Sequence, residues 1–257
     1  MAIDRKTIES MYKDLPQKAQ TRLKRATKLI VKAKEKGGKV VAVLGSGPNL
    51  HEGVTTLIAE LIHKGIIDGV STSSAVINHE IAGTLEKVKR FDGVSFGFDR
   101  GKLPSDGFFE ASILSKEGLE EIQRELPIDT ALYEKMRRAK GNIVIKVAGN
   151  MAYPTGLRTE RLARDILALA KRCGVPFEQM AGYGADRLTM IGAGAEHYVP
   201  VLVTVPLLVG GGEVGLAIGD SLSISERCYR IAKLLGSADV IIESALALSQ
   251  EVHDGPF

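Results

Sequence analysis

Val40-Val41-Ala42-Val43-Leu44-Gly45-Ser46-Gly47-Pro48-Asn49-Leu50-His51-Glu52-Gly53 is the stretch on which the fold turns. Its first five residues form an unbroken apolar, largely β-branched run, the pattern of a strand covered on both faces in a parallel sheet. Glycines and a proline then stop the strand, and Val54 to His63 returns to helical periodicity. Strand, glycine-rich loop and helix in that order open a βαβ unit. Glycines let the backbone approach a ligand, and the N-terminus of the next helix offers free amide N–H groups and a partial positive charge to an anion. Gly45, Ser46, Gly47, Pro48 and Asn49 are therefore candidate ligand-binding residues. His51, an imidazole that titrates near neutral pH within the same loop, is a candidate acid/base group. The spacing is not the dinucleotide fingerprint, because the third glycine comes too late and Pro48 interrupts the turn. A purely structural turn is the competing reading.

Outward from this unit, residues 1–38 read as two helices packed on the core, with Pro16 marking the break between them. Residues 39–257 read as one Rossmann-like α/β domain. Ile66 to Val70 is expected as its second strand, Ser71 to Ser74 as a turn, and Ala75 to Arg90 as a helix, with Gly65 ending the intervening helix. Phe91 to Phe109 is rich in Gly, Asp and aromatics, so an irregular excursion is expected near 91–127. Further strands are expected at Ile143 to Ala148, Val201 to Val209 and Val240 to Glu243. Helices are expected at Thr130 to Lys140, Arg158 to Cys173, Ile224 to Leu235 and Ser244 to Val252. The fold class is thus α/β: a mostly parallel sheet with helices on both faces, preceded by N-terminal helices.

In open parallel sheets ligands bind beyond the carboxyl ends of the strands. Ser71, Thr72, Ser73 and Ser74 follow the second strand and suit a phosphate or ribose, although one of them could serve simply as a helix cap. Asn150 follows Gly149 at another strand end. Gly210-Gly211-Gly212-Glu213, Gly219-Asp220-Ser221 and Glu243-Ser244 are read as further strand ends. Asn150 joins the cofactor-binding set, Glu213 is a second candidate proton acceptor, and Asp220 and Glu243 are candidate substrate-binding carboxylates.

With 257 residues, 44% apolar and 25% charged, the chain can bury a sizeable core, which excludes a disordered protein. The net charge of +3 is small; basic residues gather between Lys13 and Lys36, but a solvated helix looks the same, so nucleic acid is not the expected partner. No apolar run is long enough to span a membrane, and the N-terminus lacks a signal-peptide pattern. Cys173 and Cys228 fit no metal or redox spacing and read as reduced residues of a cytoplasmic protein, while scarce Asn and Gln suit a thermophile. Four of the five histidines adjoin an acid: His51-Glu52, His79-Glu80, Glu196-His197 and His253-Asp254. Sequence neighbours do not face one point, so none of these pairs makes a metal site by itself, and no metal is expected.

Gly45 to Gly83 resembles the LOR/SDH region of ornithine cyclodeaminase-type proteins at Gly47-Pro48, His51-Glu52-Gly53, Ile66-Ile67-Asp68 and Asn78-His79-Glu80. It is also similar to deoxyhypusine synthase, where a strand ending in a hydroxyl-rich turn precedes a helix, as at Ser71 to Ser74. The resemblance implies an NAD site. It does not imply deoxyhypusine synthesis, since no counterpart of that enzyme's imine-forming lysine can be placed and Gly210-Gly211-Gly212 continues into Glu213-Val214. The first expectation is an NAD-dependent enzyme removing hydride next to nitrogen in a small amino-acid-like or amine substrate, as a homo-oligomer. A hydrolase or transferase of a phosphorylated small molecule, and a non-catalytic ligand sensor, are the alternatives.

Overall fold

The computed structural model describes residues 4–45, 53–103, 107–149, 151–205 and 211–244. Two helices lead: α1 (Arg5–Asp14), N-capped by the Asp4 carboxylate, and α2 (Gln17–Glu35), which follows Pro16. The predicted strand is β1 (Val40–Leu44), every residue of it buried, followed by α3 (Val54–His63). Gly65 adopts φ +66° just past the end of α3, the left-handed conformation that favours glycine. Then come β2 (Gly69–Ser73), α4 (Ser74–Ile81), β3 (Glu86–Asp92), the single turn α5 (Gly93–Phe96), β4 (Phe108–Ser112), α6 (Lys116–Glu125) and α7 (Thr130–Arg138). The chain continues through β5 (Asn142–Lys146), β6 (Ala152–Tyr153), α8 (Thr155–Cys173), α9 (Phe177–Gly182) and α10 (Met190–His197). It closes with β7 (Val201–Val205), α11 (Gly212–Ser221), α12 (Ile224–Gly236) and β8 (Val240–Ser244).

The main sheet has the order β7-β2-β1-β8 and all its pairs are parallel. Val40, Ala42 and Leu44 of β1 point with Val70, Val201 and Val203 into the larger core, against α3, α4 and α8 to α11. Val41 and Leu202 point the other way, onto Ile231 and Leu234 of α12. Helices therefore cover both faces, as the unbroken apolar runs require. Among the described residues no helix is long and apolar enough to cross a membrane.

Three local expectations are corrected. Ser71 to Ser73 belong to β2 itself, and α4 begins at Ser74 with no intervening turn. Small hydroxyl residues are accommodated inside this strand because Thr72 Oγ1 donates to Leu44 O (3.1 Å) and Thr204 Oγ1 donates to Thr72 O (3.2 Å). The helix expected over Ala75 to Arg90 stops at Ile81, and Glu86 starts a strand of a second sheet, β5-β3-β4-β6. In that sheet β3 is antiparallel to both β4 and β5, so β5 is not a strand of the parallel sheet.

The stretch expected to be irregular holds β4, α5 and α6, and the aromatics Phe91, Phe96, Phe98 and Phe109 form a cluster with Ala111 and Met136. The strands were hidden by charge: Lys146 Nζ and Glu110 Oε2 form an ion pair of 2.8 Å that is almost fully buried, and Arg90 reaches the same carboxylate. A buried charge is tolerated once paired, which removes the alternation of apolar and polar residues by which strands are recognised.

Candidate functional site

Because all four main strands are parallel, with Leu44 beside Ser244 and Ser73 beside Val205, their carboxyl ends share one edge. Gly45, Ser71 to Ser74, the start of α11 at Gly211 to Glu213, and Glu243 all lie toward that edge. Ser46, Gly47, Pro48, Asn49, His51 and Asn150 fall outside the described residues; so does the helix expected at Ser244 to Val252, except for Ser244 itself, which belongs to β8. Asp220 does not follow a strand. It is exposed near the end of α11, which runs from the carboxyl edge back across the sheet.

The helix N-termini at this edge differ in what they can accept. At α11, the Glu213 N–H donates to Glu160 Oε2 (2.8 Å), and Glu213 adds a second carboxylate to the first turn. That N-terminus already holds negative charge. Glu213 in turn accepts from Arg164 Nε (2.9 Å) on α8, so its carboxylate is engaged in a surface ion pair. By contrast, among the described residues α3 and α4 have no hydrogen bond from the N-cap side chain and no acidic residue in their first turns. They follow neighbouring strands, β1 and β2, so two uncapped positive helix ends sit side by side.

Next to the α4 terminus, Ser71 Oγ, Ser73 Oγ and Asn78 Oδ1 are buried without a hydrogen-bond partner among the described residues. Each unsatisfied buried polar atom costs about 1–3 kcal/mol, and three within eight residues mark a place where the described residues leave buried polar chemistry unmet. Thr72, whose hydroxyl donates to Leu44 O, braces the two strands instead.

α4 also organises its surroundings. Asn78 Nδ2 donates to Gly211 O (3.1 Å), tying α4 to the start of α11. His79 Nδ1 donates to Val147 O (2.7 Å), tying it to the segment after β5. The Glu80 carboxylate accepts from the N–H groups of Met190 and Ile191 (2.9 and 3.0 Å), the N-terminal turn of α10. Burial pushes the Glu80 carboxyl up to about 7 despite those two amides, which favour its charged form. A run of three polar residues within an otherwise apolar helix was the sequence signal for this hub.

A cavity of about 510 Å³ lies elsewhere, at the starts of β1 and β7 and against α9, α10 and α12, with Tyr183, Tyr198, Arg230 and Lys233 among its lining residues. It opens on the amino edge, opposite the uncapped helix ends.

The fold and this edge define an α/β protein with a Rossmann-like parallel sheet. No family model and no curated protein matches the chain. Among solved structures it is similar to the apo form of ArgZ, an arginine dihydrolase from the ornithine–ammonia cycle in cyanobacteria, at 12% identity and TM-score 0.48 over 92% of this chain and 25% of that one. A cysteine-to-alanine variant of AgrE in binary complex with L-arginine gives 16% identity and TM-score 0.49, over 93% and 27%. A deoxyhypusine synthase-like protein from Entamoeba histolytica gives 10% identity and TM-score 0.44, over 98% and 70%. The chain thus spans about a quarter of the length of the first two.

Proposed function

We propose that this protein is an enzyme that binds NAD at the carboxyl edge of its parallel sheet and acts on a small amino-acid-like or amine substrate. The observation that carries the reading is the coincidence, among the described residues, of two helix N-termini that lack a side-chain cap with buried atoms of Ser71, Ser73 and Asn78 that lack a partner. A nucleotide has the matching chemistry: phosphate oxygens for the amides at the starts of α3 and α4, and hydroxyls for the buried serine and asparagine oxygens. Gly45 and the glycine-rich residues after it would complete this half of the site. Bound NAD supplies a hydride acceptor. Of the two candidate proton acceptors, His51 suits the reading better, because Glu213 must first be released from Arg164. Exposed Ile8, Met11, Leu15, Leu23 and Leu29 on and beside α1 and α2 support a homo-oligomer, which light scattering tests.

The test is a fluorescence titration with NADH, alongside mass spectrometry of whatever co-purifies. Saturable binding in the micromolar range, weakened about tenfold or more by Ser73→Val, supports the proposal. Absence of NADH binding together with a co-purified phosphate ester would replace it with the hydrolase or transferase reading. No ligand of either kind would overturn the site.

A further inference from the structure

At the amino edge, opposite the site proposed for NAD, α3 and α10 end side by side, each on a histidine: His63 and His197. His63 Nδ1 lies 2.9 Å from His197 Nε2 and 4.0 Å from Glu196 Oε2. One ligand-type atom from each of the three residues falls within 4.8 Å of the other two. We propose that His63, Glu196 and His197 form a site for a divalent transition metal of the zinc class.

The ring of His63 is set for this role. Its Nε2 donates to Arg187 O (2.7 Å), a carbonyl that can only accept, so the proton sits on Nε2 and the Nδ1 lone pair faces His197 and Glu196. A backbone carbonyl holding the far nitrogen of a ligand histidine is the usual outer support of protein zinc sites. Glu196 is steadied by Arg187, whose Nε donates to Glu196 Oε2 (3.3 Å) and whose Nη2 donates to Oε1 (3.4 Å).

Both helices bring their C-terminal, partially negative ends to this point, which favours a cation. Bonds of about 2.0–2.1 Å in a tetrahedral site place ligand atoms about 3.3 Å apart. The two imidazole nitrogens must therefore separate slightly, His197 must move its proton to Nδ1, and the exposed Glu196 side chain must swing inward. Two imidazoles and a carboxylate are a donor set for zinc, cobalt, nickel or copper rather than for magnesium or calcium. With Glu196 and His197 exposed, a fourth position is open to water. Sequence proximity could not reveal the triad, because His63 stands more than a hundred residues before the other two and only the pairing of α3 with α10 joins them.

The probes are Zn²⁺ and Co²⁺ on untagged protein stripped with EDTA and dialysed into metal-free buffer. Calorimetry should show one Zn²⁺ per chain with micromolar or tighter affinity, and Co²⁺ should give the visible absorption of a four-coordinate ion. The melting temperature should rise by about 5 °C or more at a hundredfold excess of Zn²⁺ over Kd. His197→Ala and Glu196→Gln alter exposed side chains, and circular dichroism checks that both variants fold. Each should weaken Zn²⁺ at least about tenfold and bleach the cobalt spectrum. No saturable binding in the micromolar range, or binding that survives His197→Ala unchanged, overturns the proposal and leaves an ordinary hydrogen bond between two imidazoles.

Discussion

Replacing Arg227 by methionine should cost about 3–5 kcal/mol, because this residue closes the open edge of the main sheet from inside the protein. Among the described residues β7 is an edge strand, and the outward N–H and C=O of Val203 have no neighbouring strand to meet. The N–H donates to Glu178 Oε1 (3.0 Å), and the C=O accepts from Arg227 Nη1 (3.0 Å). Arg227 Nη1 also donates to Glu178 Oε1 (2.7 Å), while Nη2 donates to Ile218 O (2.7 Å) and Ser221 Oγ (3.2 Å), anchoring the end of α11. Both charged side chains are essentially buried, at 4% and 0% exposure, so solvent neither screens the pair nor replaces it. Methionine fills much of the volume but strands a buried carboxylate and two main-chain carbonyls. Against a total stability of about 5–15 kcal/mol the loss is severe, and it corresponds to a fall in melting temperature of about 6–20 °C. Urea unfolding followed by far-ultraviolet circular dichroism measures it. Arg227→Lys should lie between, since one ammonium cannot serve both Val203 O and Ile218 O. The double variant with Glu178→Leu should be less destabilised than the sum of the single variants, by about 2 kcal/mol or more. A cost below about 1 kcal/mol for Arg227→Met, or strict additivity in the double variant, would refute the account.

Three further outcomes are expected. Ser71→Ala removes a fully buried hydroxyl with no partner among the described residues, so the variant should be about 1 kcal/mol more stable in urea than the parent while binding NADH more weakly. Tyr198, 90% exposed, takes a left-handed φ of +57° at the end of α10, and Tyr198→Gly should raise stability by about 0.5–1 kcal/mol in the same assay. Glu80 has its folded-state pKa raised from 4.5 to about 7, so the protonated form is the one the fold prefers. Its stabilising contribution is therefore full below pH 4.5 and lost as pH rises through about 7, a change of up to about 3 kcal/mol. Unfolding curves between pH 4 and pH 8 should show this loss in the parent and a flatter profile in Glu80→Gln; parallel profiles would count against it.

The parallel sheet was legible in the sequence because its strands are local objects. Val40 to Leu44 is apolar at every position, and only a strand buried on both faces calls for that. The glycine stop at Gly65 and the helix following β1 are likewise properties of neighbouring residues, whereas the helix over Gly212–Ser221 reads as strand ends in the sequence. Strand direction alone led to the expectation that Gly45, Ser71 to Ser74, Glu213 and Glu243 lie toward one edge, where they do lie; Asp220, expected with them, sits inside α11 instead. What each side chain does there was decided by residues far away in the chain. Glu213 is held by Arg164, Asn78 reaches Gly211, and Glu80 caps a helix that begins more than a hundred positions later. The second sheet escaped notice for the same reason. Glu86-Lys87-Val88-Lys89-Arg90-Phe91-Asp92 carries charge on both faces, and its place as a strand rests on pairing with β4 and β5, whose Glu110 meets Arg90 and Lys146. Periodicity reports which face of an element meets the core; it carries no information about which partner waits there. Hydrogen bonds and ion pairs act over a few ångströms, so the placing of His63 beside Glu196 and His197, or of Arg227 beside Glu178, existed only once the sheet had brought their helices together.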